Sequence, residues 1–298
     1  MKRPLLACVT SLCLAACGSL GPGSAAQTIT LAGAPNGVAV RVPEGTIYVT
    51  DDASNGIVAS SDAAHFAPYA TLPAAGGQRN GLSQIATGAD GDLFVERFGF
   101  GSTSAIFRVD AAGHVTLASD ANPSRRRLGL AVLSRTELLS SWFVKQGDDP
   151  AQGGVSLVTR DPASSRATER DIVAGLGKPV GLAIVGDTLY ITDQTNNRIV
   201  KVGLRATLSA AAPVAASDVF ATVTAPDLLA ASPDGTLYTK CGEHGLCRFS
   251  KTGEPTVLAN DFDEPRGVAV DAAHKRLVAV DRARGTGRPS HLRIMRLD

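Results

Sequence analysis

Four polar side chains recur at one position of a repeating triplet, and they are the strongest candidates for chemistry in the chain. The triplets are Pro35-Asn36-Gly37, Arg79-Asn80-Gly81, Arg127-Leu128-Gly129, Pro179-Val180-Gly181, Pro226-Asp227-Leu228 and Pro265-Arg266-Gly267. If their middle positions converge, Asn36, Asn80, Asp227 and Arg266 meet around an axis with Leu128 and Val180. Two amides, a carboxylate and a guanidinium suit a polar ligand or a hard cation. Calcium normally takes about six to eight oxygens, and a nearby guanidinium repels it. Three oxygen side chains beside Arg266 therefore predict weak or absent divalent binding. Asn before Gly also has an ordinary role in capping turns, so the residues alone leave a ligand site and a set of turns both open.

Other groups carry less. His244 sits in the tip Gly242-Glu243-His244-Gly245 between Cys241 and Cys247, where an imidazole could bind a ligand or move a proton. Arg127 ends the basic run Arg125-Arg126-Arg127, which would attract an anion. Trp142, beside a long Gly-rich loop expected over residues 146–154, is suited to an aromatic ligand wall or to packing. Asp51, Asp193 and Asp281 recur at the end of a strand in three copies, which predicts a turn-bracing hydrogen bond. Residues 174–179 (AGLGKP) lack the spacing of a phosphate loop, and Pro179 removes a needed amide. No HExxH, GxSxG or CxxCH motif is present.

The elements that must position these residues are strands. The third positions of the triplets lie 44, 48, 52, 47 and 39 residues apart, a period that fits four-stranded units. The clearest copy, residues 178–202, reads KPVGLAIVGDTLYITDQTNNRIVKV. Its period-two alternation, broken by Gly, Asp and Asn, predicts successive antiparallel strands. The sixth copy stops before its outer strand, and residues 27–32 look like that strand placed at the front of the chain. Closing a ring this way removes exposed sheet edges. The fold class is therefore all-β: a six-bladed β-propeller of four-stranded blades over residues 27–298, closed by the N-terminal strand. Connections before each first strand and between second and third strands share one face, and ligands are expected there.

The pattern Asp193, Asn196, Asn197, Arg198 resembles an NHL repeat. Pro35-Asn36-Gly37 and Pro226-Asp227 resemble signatures of the senescence-marker/gluconolactonase family, six-bladed enzymes that hydrolyse lactones or phosphoesters with a central divalent cation. That resemblance implies a metal (calcium, zinc, magnesium or manganese) held by Asn36, Asn80 and Asp227, with Asp227 as catalytic base. Leu128 and Val180 depart from it, because the family places further ligands in other blades. Two functions follow. One is an envelope propeller that binds a polar small molecule, glycan or protein through Asn36, Asn80, Arg266, Trp142, His244 and Arg127. The alternative is a divalent-metal-dependent hydrolase.

A formal charge of +1 over 298 residues argues against nucleic acid as a partner. Residues 1–16 read as a signal peptide, with Lys2 and Arg3 before an apolar run. Leu14-Ala15-Ala16-Cys17 resembles a bacterial lipobox, which implies acylation of Cys17; an ordinary secretory signal is the other reading. Gly18 after the cysteine favours, by the same resemblance, the outer membrane of a Gram-negative bacterium. Residues 17–26 then form a flexible tether, and the membrane is met through the lipid anchor only. With Cys8 and Cys13 removed and Cys17 lipidated, Cys241 and Cys247 remain as an expected disulfide. A monomer is expected, with a small polar ligand or an envelope protein as partner.

Overall fold

The computed structural model describes residues 25–79, 81–161 and 166–297. The signal peptide, Cys17, the tether up to residue 24 and Asn80 lie outside the described residues. Six antiparallel sheets form a ring. Blade 1 comprises Pro35–Arg41, Thr46–Asp51, Gly56–Ser60 and Ala67–Thr71. Blade 2 comprises Leu82–Thr87, Leu93–Arg97, Ala105–Val109 and Val115–Ser119. Blade 3 comprises Arg126–Val132, Glu137–Val144, Gln152–Arg160 and Ala167–Leu176, with the short strand Val214–Ala215 laid parallel along its outer edge. Blade 4 runs through Pro179–Val185, Thr188–Asp193, Arg198–Gly203 and Val219–Thr222, interrupted by one short helix, Leu204–Ser209. Blade 5 holds Leu229–Ala231, Leu237–Cys241, Gly245–Phe249 and Pro255–Ala259. Blade 6 holds Pro265–Asp271, Arg276–Asp281 and Ser290–Arg296. Its fourth strand is Ala25–Leu31, antiparallel to Ser290–Arg296, so the chain's front closes the ring as its sequence predicts.

Each face of a blade buries its alternate side chains against the next blade. Tyr48 and Ile57 of blade 1, for example, pack on Leu82, Ile85, Leu93, Val95 and Phe107 of blade 2. Blades 3 and 4 share a similar seam of Leu139, Val155, Val173, Leu182, Leu189 and Ile191. At the axis the approach is too close for side chains. A Cβ on Gly267 would lie 2.5 Å from the Asn36 carbonyl oxygen, and one on Gly181 would lie 2.7 Å from Leu229 Cβ. Hydroxyls stitch these seams together. Thr50 Oγ1 accepts from Gly37 N at 2.7 Å and lies 3.2 Å from the Ser83 carbonyl of the next blade, to which it donates. Thr192 repeats the motif between Gly181 N (2.6 Å) and the Asp227 carbonyl (2.8 Å).

Register corrects one expectation. The first strand skips two residues of its pairing between Pro35 and Val38, and likewise between Arg127 and Leu130, Pro179 and Leu182, and Pro265 and Val268. In blade 2 the same skip falls between Leu82 and Ile85. The axial triplet there is Leu82-Ser83-Gln84, three residues beyond Arg79-Asn80-Gly81. The Asn-Gly motif is therefore not the axial triplet, and Ser83 holds the position expected of Asn80. A second expectation also shifts: Gln152–Arg160 is a strand, so Gly153 and Gly154 pair with Phe143 and Trp142 instead of extending a loop.

Candidate ligand-binding site

The start of each first strand, bulged in five of the six blades, brings Asn36, Ser83, Leu128, Val180, Asp227 and Arg266 to equivalent places around the axis. The loops leading into these strands, with those joining second and third strands, complete the channel mouth on the same face. A cleft of 300 Å³ opens there, lined among others by Asn36, Ser83, Leu128, Arg266, Lys178 and Arg282. Phe98, Phe100 and Arg79 form one wall.

The polar groups at this mouth are largely engaged with one another. Asp227 is 4% exposed; its Oδ1 accepts from Leu228 N at 2.9 Å and its Oδ2 from Arg266 Nη1 at 3.2 Å. Arg266 also bridges to Glu264 at 2.9 Å. Burial works against the Arg266 charge, but Asp227 and Glu264 outweigh it and hold the guanidinium above its ordinary pKa. Its Nε is buried without a partner. Asn36 Nδ2 donates to the Leu82 carbonyl at 2.6 Å, tying blade 1 to blade 2. Ser83 Oγ donates to the Leu128 carbonyl at 2.6 Å. Asp52 accepts from Leu82 N at 2.6 Å and pairs with Arg282 at 2.9 Å. Burial nevertheless raises the Asp52 pKa above its usual range.

Two lysines complete the field. Lys178 Nζ donates to Gln194 Oε1 at 2.7 Å and feels the charges of Asp227, Arg266, Arg126 and Lys240. Lys240 is 7% exposed and stands where blades 1, 3 and 4 carry the hydroxyls of Thr50, Ser141 and Thr192. Burial lowers the pKa of both ammonium groups. The result is a mouth with more cations than carboxylates.

Such a mouth is a poor cage for a divalent cation. Its single axial carboxylate is already closed on a guanidinium, Asn36 is committed to backbone, and blades 3 and 4 present Leu128 and Val180. Among the described residues no group of three or more His, Cys, Asp or Glu side chains could hold a metal ion. The geometry brings Asn36, Asp227 and Arg266 together, but not as a metal set.

The remaining candidates lie elsewhere. Arg127 is fully buried between blades 2 and 3, where its Nη2 pairs with Glu169 at 2.7 Å and its Nη1 meets Ser140 at 2.8 Å, so it does not face the cleft. Trp142 forms no ligand wall at the mouth. Its ring lies 3.7 Å from the Arg125 guanidinium, and its Nε1 donates to Ser156 at 2.8 Å. The wall is made by Phe98 and Phe100 instead. His244 sits at the exposed tip stapled by the Cys241–Cys247 disulfide, and its Nδ1 donates to the Phe262 carbonyl at 2.8 Å. Asp51, Asp193 and Asp281 brace turns: they accept from Ala34 N (2.6 Å), Lys178 N (3.1 Å) and Asp263 N (2.7 Å). Lys178, Lys240, Ser83, Arg79 and the phenylalanines were not among the expected site residues. Lys240 carried a readable signal, since it replaces a hydroxyl at an aligned strand position.

No protein-family model matches the chain, and no curated protein sequence matches it. Solved structures do. A gluconolactonase from Xanthomonas campestris aligns over 90% of this chain and 87% of that one, with a TM-score of 0.66 and 18% identity. The shared object is the six-bladed frame. A calcium-binding protein, regucalcin, from Agrobacterium tumefaciens aligns over 89% and 92% at a TM-score of 0.63 and 17% identity. Virginiamycin B lyase from Staphylococcus aureus aligns over 90% and 98% at 0.60 and 13%. The likeness to gluconolactonase-like and NHL-like propellers expected from the repeats is thus found at the level of the fold.

Proposed function

We propose that this chain is a lipid-anchored envelope propeller that binds a small polar ligand at the channel mouth. The observation that carries this is the Asp227–Arg266 pair. It fills the axial position with a closed ion pair amid surplus positive charge, which favours a polar or anionic ligand over a cation. Asn36 and Arg266 line the cleft and would orient such a ligand, while Lys178 supplies a further cation in its lining. His244 stays a candidate for contacts with a larger partner on the same face.

A second function, a divalent-metal-dependent hydrolase with Asp227 as base, draws support from the gluconolactonase among the structural neighbours. It requires Asp227 to leave Arg266 and further oxygen ligands to be recruited. Thermal unfolding of the purified mature protein separates the two. Gluconate at a hundredfold its Kd should stabilise the fold by about 2.7 kcal/mol, and Lys178→Gln should lower that gain by about 1 kcal/mol at the same gluconate concentration. Stabilisation by calcium, zinc, magnesium or manganese, abolished in Asp227→Ala, would favour the hydrolase instead.

A further inference from the structure

The charge and the apolar wall of the mouth together define a ligand class. Arg79, Arg126, Lys178 and Lys240 have no carboxylate within ion-pair distance among the described residues; Lys178 is bound to the neutral Gln194. Three of the four are arranged on a phenylalanine cluster. Arg79 lies 5.0 Å from the Phe100 ring centroid, Arg126 lies 5.7 Å from both Phe98 and Phe143, and Lys178 lies 5.7 Å from Phe143. The rings form one unit, with Phe98 4.9 Å from Phe100 and 6.0 Å from Phe143. The fourth cation, Lys240, belongs to a buried residue and makes no side-chain hydrogen bond to a described residue; the Nε of Arg266 is buried without a partner.

Lys178, half-buried, and Lys240, buried, are partly withdrawn from water without an ion-pair partner, which is costly, and neighbouring cations repel one another. An arriving anion relieves both. Arginine and lysine beside aromatic faces also offer a ring-bearing ligand apolar contact next to its charge. At 300 Å³ the cleft is at the lower end of the roughly 300–1,000 Å³ usual for small-molecule sites, which limits the ligand to one or two rings. Resting on the mouth as the ligand site, we infer that the ligand is a small organic anion with an apolar ring: its carboxylate-type head lies among Arg79, Lys178 and Arg266, and its ring lies on Phe98 and Phe100. Neither a neutral sugar nor a divalent cation meets both halves of that surface.

Isothermal titration of the mature protein with three probes tests this. 2-Naphthoate carries charge and ring, 2-naphthamide the ring without the charge, and gluconate the charge without the ring. Naphthoate should bind about tenfold more tightly than either of the others. Arg79→Gln and Lys178→Gln should each weaken naphthoate several-fold and leave naphthamide unchanged, whereas Phe100→Leu should weaken naphthoate and spare gluconate. Equal binding of naphthoate and naphthamide would overturn the requirement for charge. Tighter binding of gluconate, insensitive to Phe100→Leu, would overturn the ring-bearing class while leaving the mouth as a polar-ligand site. If none of the three binds and neither cation variant alters any heat, the mouth is not a ligand site and both proposals fall.

Discussion

Glu96 illustrates how one side chain can stand in for a hydroxyl and change the physics of a seam. It occupies the strand position held by Thr50 in blade 1, and Ser140 of blade 3 donates to its Oε1 at 2.5 Å. The residue is fully buried and its Oε2 has no partner. Burial pushes its pKa up to about 8 from an ordinary 4.5, against the opposing pull of Ser140 and Arg127. The folded state thus keeps a proton that the unfolded chain releases. This stabilisation is full below pH 4.5 and is lost as pH rises through about 8. Glu96→Gln keeps the acceptor and removes the titration. Its urea midpoint should match the parent at pH 4.5 and exceed it above pH 8. Nearby, Glu169 is buried, which raises its pKa, yet Arg127 and its other partners outweigh that and hold it below the usual range. Glu169→Ala strands Arg127 and should cost about 3–5 kcal/mol, measured by denaturant unfolding. Neither role was legible in the sequence, because both depend on which side chains of adjacent blades meet.

Among the elements, the first strands do most to build the site. Their bulges turn the triplets toward the axis, and Gly181 lets blade 4 approach Leu228 and Leu229. A methyl group there has no space, so Gly181→Ala should destabilise the protein by about 1–3 kcal/mol in chemical unfolding. The hairpin between Leu237–Cys241 and Gly245–Phe249 is stapled by its disulfide across a sequence separation of 6. Replacing both cysteines by serine should cost about 2 kcal/mol on the chain-entropy model, measured against the parent under non-reducing conditions. Strand order, blade number and the closing strand were legible because alternation and turn residues repeat with one period. Asp51, Asp193 and Asp281 were legible for the same reason, and their bracing bonds are found. Blade 2 was not. Its Asn-Gly pair mimics the triplet while the true axial position carries Ser83-Gln84, whose Gln84 Oε1 accepts from Leu130 N at 3.0 Å. A repeat that substitutes glutamine for glycine hides its own register.

At the scale of the whole molecule, the ring sets where the mouth points. Ala25–Leu31 runs antiparallel to Ser290–Arg296 and reaches the mouth side at Leu31, so residue 25 enters from the opposite face. Cys17→Ala should move the protein from the membrane pellet to the soluble fraction, as followed by fractionation and blotting. The central claim, however, concerns charge at the axis: Asp227 serves Arg266 and not a metal. Calcium titrated calorimetrically into the chelator-treated mature protein tests it most directly. The account predicts no saturable heat up to millimolar calcium, for the parent and for Asp227→Ala alike. A saturable isotherm with micromolar affinity, lost in Asp227→Ala, would contradict it and return Asp227 to the role of metal ligand.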